Sequence, residues 1–217
     1  MNFPEDVKFV AVEGVIGAGK STLAKILADK SRGELIQEVV EENPFLEKFY
    51  ESPEAYAFQT QLFFLLSRHK QLDKNIHQQD LFHPITIADY TLDKDRIFAG
   101  LNLKEQELGM YETVANALRQ ETIQPDFIIY LQANVDILMQ RIQKRGRPME
   151  RNMSPDYLKS LSELYTHHFF SVSDCPVLIV NTDHIDFVEN PKDLEELLAV
   201  IESCPPGTTF YNPQSLQ

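Results

Sequence analysis

The residues in this chain that are best suited to chemistry lie in a short glycine-rich stretch near its beginning. Gly14 to Ser21 match the pattern G-x-x-x-x-G-K-[ST], which binds nucleotide phosphates. Glycines let backbone N–H groups turn towards the phosphates, because no Cβ atom stands in the way. Lys20 is expected to reach the β- and γ-phosphates, and the Ser21 hydroxyl to coordinate Mg²⁺. The predicted nucleotide-binding residues are Gly14, Val15, Ile16, Gly17, Ala18, Gly19, Lys20, Ser21 and Thr22.

Three arginines form a second group of candidates. Arg141 and Arg145 are four residues apart and share one face of a predicted helix, and Arg147 follows Gly146, where that helix should end. Guanidinium groups clustered in this way are typical of a flap that closes over transferring phosphates. The alternative is a solvated helix end whose arginines complement the helix dipole. The phosphate-binding loop favours the flap.

Two acidic residues stand at the ends of predicted strands. Glu38 ends the second strand, and a carboxylate there could accept the proton of an attacking hydroxyl group. Asp89 ends the third strand and could belong to the coordination shell of Mg²⁺. The residues alone leave open which of the two removes the proton.

Residues 58–72 are unusually apolar for a long helix, yet they contain Gln61 and Arg68, seven residues apart on one face. The Gln61 amide offers one donor and one acceptor, which matches the edge of a nucleobase. A structural network around a buried Gln–Arg pair is an equally good interpretation. A helix this apolar is expected to be covered by the core and by a second subunit, which predicts a homodimer.

The elements that position these residues follow from an alternation of short apolar runs with helical periodicity. Strands are predicted at 9–12, 35–39, 85–89, 127–131 and 177–180, and helices near 20–31, 53–79, 94–122, 134–145, 155–171 and 191–203. This alternation predicts βαβ units. The expected fold is a three-layer α/β fold like that of P-loop NTPases, with a five-stranded parallel sheet flanked by helices and an arginine-rich lid at about 141–152. One domain is expected over 1–203, with a tail over 204–217.

Composition limits the possible partners and the compartment. The net charge of −13 argues against nucleic acid and anionic membranes as partners. The two cysteines lack the spacing of metal ligands, and the first residues lack the apolar run of a signal peptide. No segment approaches the length of a membrane span. We therefore expect a cytoplasmic protein with small-molecule partners.

From about residue 8 to residue 201 the chain resembles the deoxynucleoside kinase family, and most closely its bacterial deoxyguanosine/deoxyadenosine kinase branch. Besides the phosphate-binding loop, the similar segments are 38–46, 48–50, 61 with 66–68, 87–90, 97–99 and 141–148. The resemblance implies that ATP and Mg²⁺ take part and that a deoxynucleoside is the acceptor. It also implies a fold with a donor side and a nucleoside side.

Carried over to this sequence, the family pattern implies a role for each matching residue. Glu38 would contact the nucleoside 5′-hydroxyl and act as the base, Tyr50 and Glu150 would hold the 3′-hydroxyl, and Gln61, Arg68 and Asp95 would lie at the nucleobase. Asp89 would either bind magnesium or abstract the proton. Arg141, Arg145 and Arg147 would bind the donor phosphates, and Asp183, Asp186 and Phe187 would surround the donor adenine.

The chain departs from the family pattern at one position. The arginine of the family's Glu-Arg-Ser motif is Tyr90 here, which leaves the 5′-oxygen one cation short. Arg68 or a flap arginine is the expected substitute.

The resemblance predicts transfer of the ATP γ-phosphate to the 5′-hydroxyl of a deoxynucleoside, with a purine as the expected base. One alternative is a nucleoside monophosphate kinase of the thymidylate type, which needs more cations around its acceptor phosphate. The other is a non-catalytic accessory subunit, against which stand the retained Lys20, Ser21, Glu38 and Asp89.

Overall fold

The computed structural model describes residues 1–76, 83–119, 123–172 and 174–213. Its six strands are β1 (Phe9–Gly14), β2 (Glu34–Ile36), β3 (Thr86–Ala88), β4 (Phe127–Gln132), β5 (Val177–Asn181) and β6 (Thr208–Tyr211). Its helices are α1 (Lys20–Ser31), α2 (Leu46–Glu51), α3 (Pro53–Ile76), α4 (Asp93–Asn102), α5 (Glu105–Arg119), α6 (Val135–Arg145), α7 (Pro155–Ser171) and α8 (Pro191–Glu202). Single 3₁₀ turns cover Val40–Glu42 and Pro148–Glu150.

All strand pairs are parallel, in the order β2-β3-β1-β4-β5-β6. Every residue of β1 is buried, as are nearly all of β4 and β5, so the centre of the sheet is covered on both faces. The runs of valine and isoleucine in these strands suit such doubly buried positions. The predicted α/β fold with a parallel sheet is confirmed.

Several predicted boundaries are wrong. The sheet has six strands and not five, because Thr208–Tyr211, in the segment expected to be a tail, pairs with β5. The single helix expected at 94–122 is two helices, since Leu103 is extended between α4 and α5. The second strand ends at Ile36, so Glu38 lies in the loop beyond it. Residues 77–79 and 120–122 of the predicted helices lie outside the described residues.

The order of the strands indicates at which end of the sheet a ligand would bind. Strand β1 lies between β3 and β4, and the chain runs from β1 to β2 and β3 on one side before it crosses to β4 on the other. In open parallel sheets, ligands bind beyond the carboxyl ends of strands at such a switch point. The phosphate-binding loop leaves β1 there and leads directly into α1. Within the described ranges, no helix is both long and apolar enough to cross a membrane.

Helix α6 packs directly on the phosphate-binding loop, and a glycine makes this possible. Gly17 has φ 87°, and a Cβ atom built on it would lie 2.9 Å from the Leu138 carbonyl oxygen and 3.0 Å from Ile142 Cγ1. The close approach brings the helix that carries Arg141 and Arg145 against the loop.

Replacing Gly17 by alanine is expected to destabilise the protein by about 2 kcal/mol or more, because the new methyl group meets backbone and the positive φ disfavours any L side chain. Urea-induced unfolding measures the change. Gly109→Ala is the matched control: Gly109 lies within α5 with no atom within 4 Å of the added Cβ, so it should stabilise by up to about 1 kcal/mol. Equal effects of the two substitutions would contradict the packing of α6 on the loop.

Candidate active site

The phosphate-binding loop presents its lysine at the first position of α1. Gly19 precedes it in a left-handed conformation, with φ 99°, and ends the loop where the helix begins. The Lys20 ammonium group donates a hydrogen bond to the Val15 carbonyl oxygen at 3.1 Å. Desolvation and the nearby Lys94 lower the pKa of Lys20 to about 8, against the opposing effect of Glu13, Glu38 and Asp89. An anion bound in the loop would stabilise the charged form of this lysine.

Ser21 and Asp89 meet at the carboxyl ends of β1 and β3. The Ser21 hydroxyl donates to Asp89 Oδ2 at 2.5 Å, and the backbone N–H of Glu38 donates to Asp89 Oδ1 at 2.8 Å. Asp89 therefore joins the loop after β1, the loop after β2 and the end of β3. The segments that follow the first three strands therefore converge at Asp89.

Glu38 is the centre of a buried charge cluster. Its Oε1 atom accepts hydrogen bonds from Arg68 Nε, at 3.0 Å, and from Arg68 Nη2, while its Oε2 atom accepts one from Lys94 Nζ at 2.5 Å. Burial alone would raise the pKa of Glu38, but the two cations outweigh it and hold that pKa well below its usual range. Glu38 is therefore an ionised carboxylate.

Lys94 is the residue at this site that the sequence analysis missed. It occupies the first turn of α4 and is 5% exposed. It supplies a cation where Tyr90 provides none: the Tyr90 hydroxyl faces away and donates to Gln71 Oε1 at 3.0 Å. The sequence did contain an indication of its role. The helix dipole disfavours a lysine in the first turn of a helix, so a lysine at that position is expected to have a function there.

The loop between β3 and α4 is anchored by Glu13, a fully buried residue of β1. Its Oε1 atom accepts hydrogen bonds from the backbone N–H of Thr91, at 2.6 Å, and from the Thr91 hydroxyl, at 2.9 Å. Burial raises the pKa of Glu13, while Lys94, Lys20 and the bonds from Thr91 oppose the rise. The sequence analysis gave no role to Thr91, which fixes the loop that carries Asp89 and leads to Lys94.

Most predicted nucleoside-side residues line one cavity, here called the acceptor cavity. Its lining includes Lys20, Ser21, Glu38, Tyr50, Gln61, Arg68, Asp89, Arg145, Arg147 and Glu150. Lys94 and Tyr157, which the sequence analysis did not select, also line it. Apolar walls come from α2 and α3, among them Phe49 and Phe64. The arrangement gives a flat ligand apolar contact together with a few charged groups.

Of the residues expected at the nucleobase, Gln61 and Arg68 line the acceptor cavity, and Asp95 lies behind Arg68 outside the lining. Arg68 forms an ion pair with Asp95, which is fully buried, and its guanidinium lies 4.6 Å from the centre of the Phe64 ring. Within the part of the chain that the structure describes, buried Gln61 Oε1 and Thr60 Oγ1 have no hydrogen-bond partner. Buried polar atoms of this kind are normally paired, so they indicate a place for a polar ligand.

A second cavity, here called the donor cavity, lies on the other side of the phosphate-binding loop. Of the predicted donor residues, it is lined by Gly17, Ala18, Gly19, Thr22, Arg141, Arg145, Asp186 and Phe187. The Phe187 ring packs against Gly19. Asp183 lines neither cavity, because its carboxylate accepts hydrogen bonds from the backbone and side-chain nitrogens of Asn134.

Among the three flap arginines, Arg145 and Arg147 share Glu150, which lies 3.8 Å from Arg147, whereas Arg141 has another partner. Arg141 donates to the Thr182 hydroxyl and carbonyl oxygens at 2.9 and 2.8 Å. Arg145 donates to both carboxylate oxygens of buried Glu150, at 2.7 and 2.6 Å. Arg147 lies 3.2 Å from the Glu41 carboxylate. Arg145 alone of the three lines both cavities, so it stands where a donor and an acceptor would meet.

The available metal ligands are hard oxygen donors. Among the residues that the structure describes, no group of three or more histidine, cysteine or acidic side chains is arranged so that it could hold a metal ion. Ser21 Oγ and the Asp89 carboxylate, in contact with each other beside Lys20, are the type of pair that Mg²⁺ uses together with phosphate oxygens and water. These residues fit a magnesium ion bound with a nucleotide.

Comparison with known proteins is consistent with this geometry. Residues 10–204 match the family model described as deoxynucleoside kinase. A deoxyguanosine kinase of Bacillus subtilis strain 168 is 39% identical, over 89% of this chain and 96% of that protein. A deoxyadenosine/deoxycytidine kinase of the same organism is 29% identical, over 89% and 91%. The structure of deoxyadenosine kinase from M. mycoides with bound dCTP superimposes with a TM-score of 0.77 at 29% identity, covering 90% of this chain and 99% of the other.

Proposed function

Because this chain belongs to the deoxynucleoside kinase family, we propose that its acceptor cavity binds a purine deoxynucleoside with the 5′-hydroxyl at Glu38. The protein is an ATP-dependent phosphotransferase that phosphorylates deoxynucleosides. The observation that carries the assignment of the cavity is the ionised Glu38 carboxylate beside the phosphate-binding loop. What is proposed is the preferred nucleobase and the role of each residue in binding and catalysis.

On the donor side, backbone N–H groups of the loop after Gly14 bind the β- and γ-phosphates, and Lys20 neutralises the charge that moves between them. The N–H of Gly14 itself donates to Glu13 Oε2 at 3.2 Å. Arg141 and Arg145 bind the phosphates as the lid closes. To do so, Arg141 leaves Thr182 and Arg145 leaves Glu150. Phe187 and Asp186 lie at the adenine end of the donor cavity. Asp183, which accepts hydrogen bonds from Asn134, does not contact the adenine and only holds the loop after β5 in place.

On the acceptor side, Glu38 orients the 5′-hydroxyl and takes its proton. The bond from the 5′-oxygen to the γ-phosphorus forms as the bond from that phosphorus to the bridging oxygen of ADP breaks. A carboxylate with a low pKa is a weak base, so the proton moves late and Glu38 acts mainly by positioning. Asp89, whose carboxylate is in contact with Ser21 Oγ, is assigned to Mg²⁺ and not to the proton.

Ser21 and Asp89 are the residues that would hold Mg²⁺ with the nucleotide. When bound there, the ion neutralises charge on the β- and γ-phosphate oxygens. The fit of the two oxygen ligands supports this assignment.

The sugar and base contacts follow from the lining of the acceptor cavity. Tyr50 and Glu150, both in the lining, are placed to hold the 3′-hydroxyl. The unpaired Gln61 Oε1 atom can accept from the amino or imino group of a base. Arg68, paired with Asp95, offers donors that suit the O6 and N7 acceptors of guanine. The deoxyguanosine kinase among the relatives supports the purine preference.

A kinase assay with ATP and Mg²⁺ over the four deoxynucleosides tests the proposed base preference. We expect deoxyguanosine or deoxyadenosine to give a kcat/KM at least about tenfold above both pyrimidines, because the cavity carries donors and an acceptor for a purine edge. Higher kcat/KM for a pyrimidine would overturn the purine assignment. Faster phosphorylation of dGMP than of deoxyguanosine would instead indicate a monophosphate kinase.

The Glu38→Gln variant is expected to retain nucleoside affinity within a few fold and to lose turnover by about 100- to 10,000-fold, because the amide can neither accept the proton nor form the two ion pairs that position the side chain. Turnover is measured by ADP release and affinity by calorimetry. Exposed Glu42, in the same acidic segment, provides the control, and Glu42→Gln should behave as the unmodified protein. Near-normal turnover of Glu38→Gln would remove Glu38 from this role.

A homodimer is part of the proposal. Leu66 on α3 is 47% exposed and Met110 on α5 is 55% exposed, on two helices that pack together. Exposed large apolar side chains on neighbouring helices are typical of a subunit interface. Location in the cytoplasm is also proposed, from the use of ATP and from the free thiols of Cys175 and Cys204.

Light scattering at micromolar concentration is expected to give twice the 25.0 kDa chain mass. Leu66→Glu should shift the mass towards the monomer, since it places a charge in the interface. Phe210→Glu, which changes an equally exposed apolar residue on β6, should leave the dimer intact. A monomeric mass for the unmodified protein would contradict the proposal.

A further inference from the structure

Lys94 occupies a position that is costly for a lysine. It is 5% exposed, and it lies in the first turn of α4, where the helix dipole disfavours a cation. Lys20, a second ammonium group, lines the same acceptor cavity. Burial, the helix dipole and a neighbouring like charge are all unfavourable surroundings for a lysine side chain.

The local acids do not fully account for Lys94. Its Nζ atom contacts Glu38 Oε2 at 2.5 Å, while Arg68 donates two hydrogen bonds to Oε1 of the same carboxylate, so one negative charge is shared between two cations. Glu13, the other nearby carboxylate, accepts from Thr91. Lys94 and Lys20 both line the acceptor cavity, so two ammonium groups face one space beside the phosphate-binding loop. An anion between them would relieve their repulsion.

We propose that Lys94 is a second catalytic lysine, which contacts the γ-phosphoryl group from the acceptor side while Lys20 contacts it from the donor side. This inference rests on the proposed function, since it takes Glu38 as the site of the 5′-hydroxyl. Lys94 reaches the phosphoryl oxygens from the position that it now holds at Glu38 Oε2. Phe98, whose ring centre is 5.9 Å from Nζ, forms part of the wall that keeps the group in place.

The reaction balances without any change at Lys94. The γ-phosphorus loses its bond to the bridging oxygen of ADP and gains one to the 5′-oxygen, whose proton goes to Glu38. Lys94 remains an ammonium ion and stabilises the negative charge on the equatorial oxygens as they move past it. It supplies on the nucleoside side the cation that Tyr90 cannot supply.

Steady-state kinetics test the role of Lys94. Lys94→Met should lower kcat by about 100- to 1,000-fold with the nucleoside KM within a few fold, because a contact made in the transition state is lost. Lys94→Arg, which keeps the charge, should recover part of that loss. Lys104→Met is the control. Lys104 is exposed, and its ion-pair partner is the exposed Glu54, 3.6 Å away, so the substitution should not change kcat. If Lys94→Met does not fold, Lys94→Gln gives the same comparison.

Binding provides a readout that is independent of turnover. The best deoxynucleoside substrate is titrated into enzyme with Mg²⁺ and ADP, with and without aluminium fluoride as a mimic of the transferring phosphoryl group. In the unmodified protein, aluminium fluoride should tighten nucleoside binding at least about tenfold. Lys94→Met should lose this tightening and keep the affinity measured with ADP alone. Retained tightening, or an equal loss of affinity in both states, would overturn the proposal.

The outcomes separate this inference from the proposed function. If the unmodified protein phosphorylates no deoxynucleoside, or if Glu38→Gln turns over normally, the proposed function fails. If Glu38→Gln is impaired and Lys94→Met is not, only the role of Lys94 fails.

Discussion

The rest of the site depends on one buried carboxylate, that of Glu38, held between Arg68 and Lys94. The three side chains come from the loop after β2, from α3 and from α4, so their contacts tie together the elements that enclose the acceptor cavity. Each cation offsets the cost of burying the charge, and together they keep Glu38 ionised. Because Asp89 also holds the Glu38 backbone N–H, the carboxylate is fixed relative to the phosphate-binding loop.

The parallel sheet turns this local cluster into a two-sided site. Since β1 and β3 are neighbours, their carboxyl ends place Ser21 beside Asp89. The donor cavity and the acceptor cavity share Arg145, which pairs with Glu150 in the lining of the acceptor cavity. In the proposed function Arg145 exchanges Glu150 for a phosphate, which would link lid closure to the presence of both substrates.

The sequence predicted the parts of the site that follow from spacing along one element. The start of α1 at the end of the glycine-rich loop and the burial of Gln61 and Arg68 on one helix agree with the expected placement of these residues, because that placement depends only on local sequence. Their roles toward ligands stay predictions. The partners of Glu38 were not predicted, because Lys94 meets it across 56 residues of chain. Strand β6 was also missed: its exposure alternates at the edge of the sheet, and the segment is short, so the preceding prolines and glycine suggested a tail.

The most direct test of the account is a crystal structure of the protein with its best deoxynucleoside substrate and a non-hydrolysable ATP analogue. The account predicts the 5′-oxygen within hydrogen-bond distance of the Glu38 carboxylate, with Lys20 and Lys94 on opposite sides of the γ-phosphate. A nucleoside whose 5′-oxygen lies away from Glu38, or a γ-phosphate that Lys94 does not contact, would contradict it.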